Sequence, residues 1–321
     1  MWSNKIVESG DPDEFLSLIR PADRKLLVTE RGQFAARSTL IDIGQLQAER
    51  RSERLSRVMH IEVSRPGILF LTEPGPEMHL NGATIRHSDI VLFNSGEAYL
   101  WRLSGSTNWG AMTLTDEDME ALCTSYLGRR STEMSGFTVI TPPARALAHL
   151  RMLHAAAGDL PDTIGGSVNQ IEFAQAFEQA LIMAMVESAG AKDVRSDTLA
   201  RQHHQMVIRR FFEVLKAPAL QPFRMQTISD AIGVSSRSLR AACEEQLGIS
   251  PMQYVLHCRM RLVRHALLQA DPNITRVTDI ATEHGFWELG RFSVRYRHIF
   301  GERPSATLAA VARSEPLMKI V

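Results

Sequence analysis

From Leu26 to Thr115 apolar and polar positions alternate in short runs. Arg57–Val63, Ile68–Thr72, Ile90–Asn94 and Ala98–Leu103 alternate or are wholly apolar. Turn chemistry separates them at Arg65-Pro66-Gly67, Pro74-Gly75-Pro76, Asn81-Gly82, Ser95-Gly96 and Ser104-Gly105. Many short strands at this spacing predict an antiparallel barrel or sandwich. After Thr115 the period becomes helical. Thr115 supplies a capping hydroxyl, Asp116 to Asp118 fill a first turn, and Met119, Leu122 and Tyr126 make an apolar stripe. Pro142-Pro143 opens a helix over 144–157. Gly158 to Gly166 breaks it, and a longer helix follows from about 168 to 188. Ser188 to Ala200 is small and charged with no apolar period, which predicts a linker. The expected division is 1–190, a linker 191–204, a helical domain 205–311 and a tail 312–321.

The helical domain holds a repeat. A first helix over 205–216 turns Met206, Val207, Ile208, Phe211 and Phe212 to its core and ends at Ala217-Pro218. Past Pro222, two units then run from Ile228 to Leu239 and from Ile280 to Phe292. Each has an apolar start, a glycine and a second amphipathic run. Glycine lets the backbone take a positive φ between two helices that cross steeply. Two such turns, Gly233 and Gly285, predict two helices presented to DNA. Between them Ser250-Pro251 starts a central helix, a cap followed by proline at the first helical position. Val255, Leu262, Val263, Ala266 and Leu267 form its expected buried side, and Asp271-Pro272 stops it. It would hold the modules one turn of DNA apart, ~34 Å.

These residues resemble the AraC/XylS family of bacterial transcription regulators over roughly the last third of the chain. The likeness includes the Gly233-Val234-Ser235 turn, Gly248 to Pro251, His284-Gly285-Phe286, Phe292, Tyr296 and Phe300 to Ser305. The string Gly285 to Phe292 with Tyr296-Arg297 looks most like the ethanolamine-operon regulator branch. The resemblance implies an α+β chain: an N-terminal cupin-like antiparallel β-barrel with flanking helices, then an all-α domain with two helix-turn-helix modules. It further implies a homodimer formed through helices beside the barrel, a small-molecule effector, and activation through RNA polymerase.

Charge sharpens this picture. The 36 basic and 36 acidic side chains cancel, but unevenly. Residues 203–321 carry 16 Lys and Arg against 10 Asp and Glu, and 1–202 carry 20 against 26. The basic part suits a polyanion. Cys123, Cys243 and Cys258 form no CxxC and read as small hydrophobes in a reducing compartment. No secretory leader or bilayer-length apolar run is present, so the expected location is cytoplasmic, with no membrane partner.

Arginine presents a planar fork that can grip guanine O6 and N7, so Arg237 and Arg240 are the expected base readers of the first module, with Ser236 and Ala241 beside them. Sliding Leu239 onto Phe292 puts Gly290, Ser293 and Val294 at the corresponding positions of the second. That face is small and nearly apolar. Ser293 can donate a hydrogen bond, Val294 can touch a thymine methyl, and Arg291 lies at the edge. Arg295 and Arg297 suit phosphates, which position without specifying. Thr227 and Thr278 are expected to cap the first helices and hold a phosphate. Glu288 is expected to cap the second reading helix.

The first domain offers no catalytic signature. His60, His79 and His87 are scattered, and no phosphate loop, G-x-S-x-G, G-x-G-x-x-G or H-E-x-x-H occurs. Neither metal nor cofactor is expected, and the chain reads as a non-enzyme. Phe70, Phe93, Tyr99, Trp101 and Trp109, with Arg37, Glu97 and Arg102, are the groups available to an effector. The alternatives are an effector-independent dimeric regulator and a cupin enzyme fused to a DNA-binding domain.

Overall fold

The computed structural model describes residues 2–19, 24–127, 136–159, 170–190, 194–195, 199–216 and 224–314. Two compact units divide the chain: Met1–Val28 with Phe34–Gln202, and His203–Val321 with Thr29–Gln33.

The first unit begins with β1 (Trp2–Ser9), α1 (Pro12–Leu18), β2 (Arg24–Val28), β3 (Ala36–Ile43) and β4 (Leu46–Glu53). It continues through β5 (Arg57–Glu62), β6 (Gly67–Leu71), β7 (Met78–Leu80), β8 (Ala83–Ile85), β9 (Ile90–Phe93), β10 (Ala98–Leu103) and β11 (Thr107–Thr113). Helices α2 (Asp116–Leu122), α3 (Ala144–Asp159) and α4 (Gln170–Ala189) follow, with β12 (Phe137–Ile140) and β13 (Val194–Arg195) among them. The strands form two antiparallel sheets, ordered β1-β3-β4-β11-β6-β9-β12-β13 and β2-β5-β10-β7-β8.

The side-chain period of two explains the layering. In β6, Leu69 and Leu71 enter the core shared with the smaller sheet, while Ile68 and Phe70 enter the layer under the helices. In β9, Val91 and Phe93 divide from Ile90 and Leu92 in the same way. A strand covered on both faces reads as a continuous apolar run. Two strands escape that signal. β1 is half polar and pairs along β3 outside the expected strand region. In β4, Glu49, Arg51 and Glu53 are buried in place of hydrophobes.

The helices depart from expectation at their ends. Thr115 caps α2, accepting from the Asp118 N–H at 3.1 Å. Met119, Leu122 and Cys123 are buried, but Tyr126 is 59% exposed in a π-helical turn that continues α2, so it leaves the stripe. Within the expected linker, Val194–Arg195 pairs with β12 and a helix already begins at Leu199. Residues 191–193 and 196–198 lie outside the described residues, as do Ala217, Pro218, Pro222 and 315–321.

The second unit takes α5 (Leu199–Lys216) from His203 onward, then α6 (Met225–Ile232), α7 (Ser236–Leu247), α8 (Pro251–Gln269), α9 (Val277–Glu283), α10 (Leu289–Phe300) and α11 (Pro304–Ser314). The last helix thus enters the stretch expected to be tail. Val207, Ile208 and Phe211 of α5 are buried as expected. Arg210 donates to the Ile232 carbonyl at 3.3 Å, tying α5 to α6. Ser250 caps α8, and Gln253 returns the bond to the Ser250 N–H at 3.0 Å, completing a capping box. Met260, Val263 and Leu267 of α8 pack on Ile280, Phe292 and Tyr296. Leu262 departs from the expected buried side: it is 56% exposed. Met260, Val263 and Leu267 already define the inner face at helical spacing, and position 262 is turned about 100° away from 263.

Candidate nucleic-acid interface

The two turns are built alike. Gly233 and Gly285 have φ of +77° and +76°, the left-handed region their position demands. What surrounds them differs. Nothing stands within 4 Å of a side chain built on Gly233. A side chain on Gly285 would strike the Arg259 guanidinium. From α8, Arg259 donates through Nε to the His284 carbonyl at 3.0 Å and stacks over Phe286 at 4.6 Å. The second turn is therefore clamped to the central helix.

In the first module Ser235 caps α7, accepting from the Ser238 N–H at 3.1 Å. Leu239, Ala242, Cys243 and Leu247 are buried. Arg237, Arg240 and Ala241 are exposed on the opposite side. Ser236 does not join them: it is half-buried, and its hydroxyl bonds to that of Ser229 at 2.9 Å across the turn. Glu244 shares the exposed face, one turn after Arg240. The α7 face thus carries two arginines and a carboxylate that a search for cations passes over.

In the second module Phe292 and Tyr296 are buried, and the Tyr296 hydroxyl donates to Thr307 at 2.9 Å, fixing α10 on α11. Gly290, Arg291, Ser293, Val294, Arg295 and Arg297 are all exposed. Glu288 stands at the N-cap position of α10 without a side-chain capping bond. Its carboxylate instead pairs with Arg291 at 2.8 Å. Between Phe286 and Glu288, Trp287 is 78% exposed.

The threonines are not caps. Helix α6 starts from Arg224 and α9 from Arg276, each extended and without a side-chain capping bond. Thr227 is the third residue of α6 and Thr278 the second of α9, both exposed. Both helices begin before the threonines, and the repeat puts an exposed arginine at the equivalent point of each module. Arg224 and Arg276 are separated by the same interval as Gly233 and Gly285, and that spacing is the signal that finds them.

The first unit has a cavity of about 390 Å³. Phe93, Trp101 and Trp109 line it, with Asp42, Glu49, Glu62 and Arg65. Phe70 faces the helices instead, and the Tyr99 hydroxyl donates to the Gly136 carbonyl at 2.9 Å. Arg37 pairs with Glu8 at the surface, and neither Glu97 nor Arg102 lines the cavity. Beside it runs a buried chain of charges. Ser38 and Arg51 donate to Glu49 at 2.7 and 2.9 Å, and Arg57 and Trp109 donate to Glu53 at 3.0 and 3.1 Å. Arg51 also stacks over Trp109 at 4.6 Å.

A family described as a helix-turn-helix domain matches residues 228–310. The chain is 38% identical over 105 residues to the "Probable thc operon regulatory protein" of Rhodococcus erythropolis, covering 33% of this chain and 32% of that protein. It is 32% identical over 100 residues to the XylDLEGF operon transcriptional activator 2 of Pseudomonas putida, covering 31% of this chain and 64% of the other. This chain therefore spans about a third of the first relative and under two thirds of the second. The AraC-like transcriptional activator CuxR superposes with a TM-score of 0.43 at 14% identity, over 82% of this chain and 95% of that one. The matched part is the helix-turn-helix region, and the relatives it matches are regulators by name. Over residues 228–310, then, this chain carries a helix-turn-helix domain similar to that of AraC/XylS-type transcription regulators.

Proposed function

We propose that the chain is a cytoplasmic, homodimeric transcription activator that binds a specific duplex site, contacts RNA polymerase and answers to a small molecule held in its N-terminal unit. The observation that carries the reading is the pair of equivalent glycine turns, each presenting a solvent-exposed helix from one domain. Arg237, Arg240 and Ala241 meet bases in the first module; Gly290, Ser293 and Val294, edged by Arg291, meet them in the second. Arg224, Arg276, Arg295 and Arg297, with Thr227 and Thr278, lie against phosphates. The lined cavity supports effector control, and exposed Met152 of α3 with Ile171 and Met183 of α4 supports pairing of two copies.

Footprinting of the promoter beside the chain's own gene tests DNA binding. With four to six basic groups on phosphates, log K against log salt falls with a slope of about −4 to −5 per bound unit. A slope near zero removes the reading. A thermal-shift screen of metabolites tests the effector. A full screen without a shift leaves an effector-independent dimeric regulator.

A further inference from the structure

The second module has Gly290 and Ser293 where the first exposes Arg237 and Arg240, and it exposes large apolar side chains beside them. Trp287 is 78% and Val294 70% exposed, against a fold that buries Phe286, Phe292 and Tyr296 around them. A single exposed hydrophobe needs no explanation. These two lie at the entry and on the outward face of one reading helix, with side-chain-free Gly290 between them in the chain. Nothing stands within 4 Å of the space beside Gly290. Trp287 is not a loose tip. Its neighbour Phe286 is held under Arg259 and against Phe292, with ring centroids 5.1 Å apart, and α10 begins two residues after Trp287.

We infer that Trp287 and Val294 form an apolar reading surface for thymine C5-methyl groups in the major groove. The inference rests on the reading that α10 enters DNA. Charge identifies the occupant. Arg291, Arg295 and Arg297 flank the patch and are exposed, so the surface that meets it is a polyanion with an apolar group inside it. The thymine methyl is the apolar group that B-DNA places on its major-groove edge. Arg291 already pairs with Glu288, but an apolar protein face would leave Arg295 and Arg297 without counter-charge. Helix residues near the N-terminus come closest to base edges, which is where Trp287 and Gly290 stand.

The test uses the full chain and a duplex that it selects from a random library. Each thymine opposite the second module is replaced singly by uracil, which removes the methyl and keeps every hydrogen-bonding group. The expected result is about a three- to fivefold loss of wild-type affinity at one or two positions, the scale of one buried methyl. Trp287→Ala and Val294→Ala should each bind thymine and uracil duplexes equally at one of those positions, while melting like wild type. If uracil binds as well as thymine throughout, or both variants keep the discrimination, the inference is overturned. If the wild-type chain selects no sequence, the DNA-binding reading itself falls and the inference falls with it.

Discussion

At the scale of the residue, the two reading faces are unequal. Arg237 and Arg240 can each make paired, charged hydrogen bonds to a base, and Ser293 offers one neutral hydroxyl. Arg237→Ala or Arg240→Ala should cost ~1–3 kcal/mol on the selected site and much less on random duplex, measured by competition binding. Normal binding by both variants would remove the assignment. Glu244 acts in the other direction. Its carboxylate shares the exposed face of Arg240, so under the proposed function Glu244→Gln should tighten binding to random duplex, and an unchanged random-site affinity would place it away from the DNA. The exposure of the arginines was legible in the chain, because the apolar spacing of Leu239, Ala242, Cys243 and Leu247 turns them outward. Glu244 and Trp287 were not, since an acid or an indole on a helix face has no sign of its own. His154 of α3 shows the same limit. It is buried under the sheet, its Nε2 3.2 Å from the Glu49 carbonyl, and burial lowers its pKa to about 4. The folded value lies below the unfolded 6.5, so the unfolded chain binds the proton first as pH falls. Stability is full above about pH 6.5 and is lost towards pH 4. Urea titrations at pH 7 and pH 5 should differ by roughly 2 kcal/mol from this group, and His154→Gln should flatten the difference. An unchanged pH dependence in that variant would show the imidazole is not its source.

At the scale of the element, turn and cap chemistry was readable and strand interiors were only partly so. Gly233, Gly285, Thr115 and Ser250 stand where a glycine or hydroxyl has a local task, and the structure uses each for it. β4 hid itself, because Glu49, Arg51 and Glu53 look like a solvated face until their partners Ser38, Arg57 and Trp109 are brought in from other strands. Buried charges survive only when paired, and pairing is a tertiary fact. The threonines failed for a local reason: a helix can start from an extended arginine with no cap at all. Gly290 gives an element-level test. Glycine in the first turn of α10 weakens the helix, and the space beside it is open. Gly290→Ala should raise stability by up to about 1 kcal/mol. It should also weaken site-specific binding, because a methyl would hold the helix off the bases. Tm and affinity rising together would mean that the glycine has no part in close approach.

At the scale of the whole molecule, the linker was expected at 191–204 from a small, charged stretch without apolar period; the chain divides into two units at Gln202/His203, and α5 begins inside that stretch. The proposed dimer gives each operator two bound domains joined through one protein, so the second contact is intramolecular. A fragment from Arg201 to the C-terminus should then bind the natural operator more weakly than the full chain in gel shifts at fixed salt. Equal affinity would remove the dimer from the reading.

Helix α8 links the modules as one uninterrupted rod of 19 residues, about 28 Å long. Its length is therefore also an angle. One residue inserted between Val255 and Met260 would rotate everything beyond it by about 100° while advancing it by only about 1.5 Å. The duplex obeys the same rule in its own units, turning about 34° with each added base pair. Under the proposed function, protein and promoter share one angular register. Each base pair added to the operator's spacer swings the second half-contact by about 34° around the duplex, and about five put it on the wrong side. Functional operators for this chain should vary freely in many bases and hardly at all in the distance between its two half-contacts.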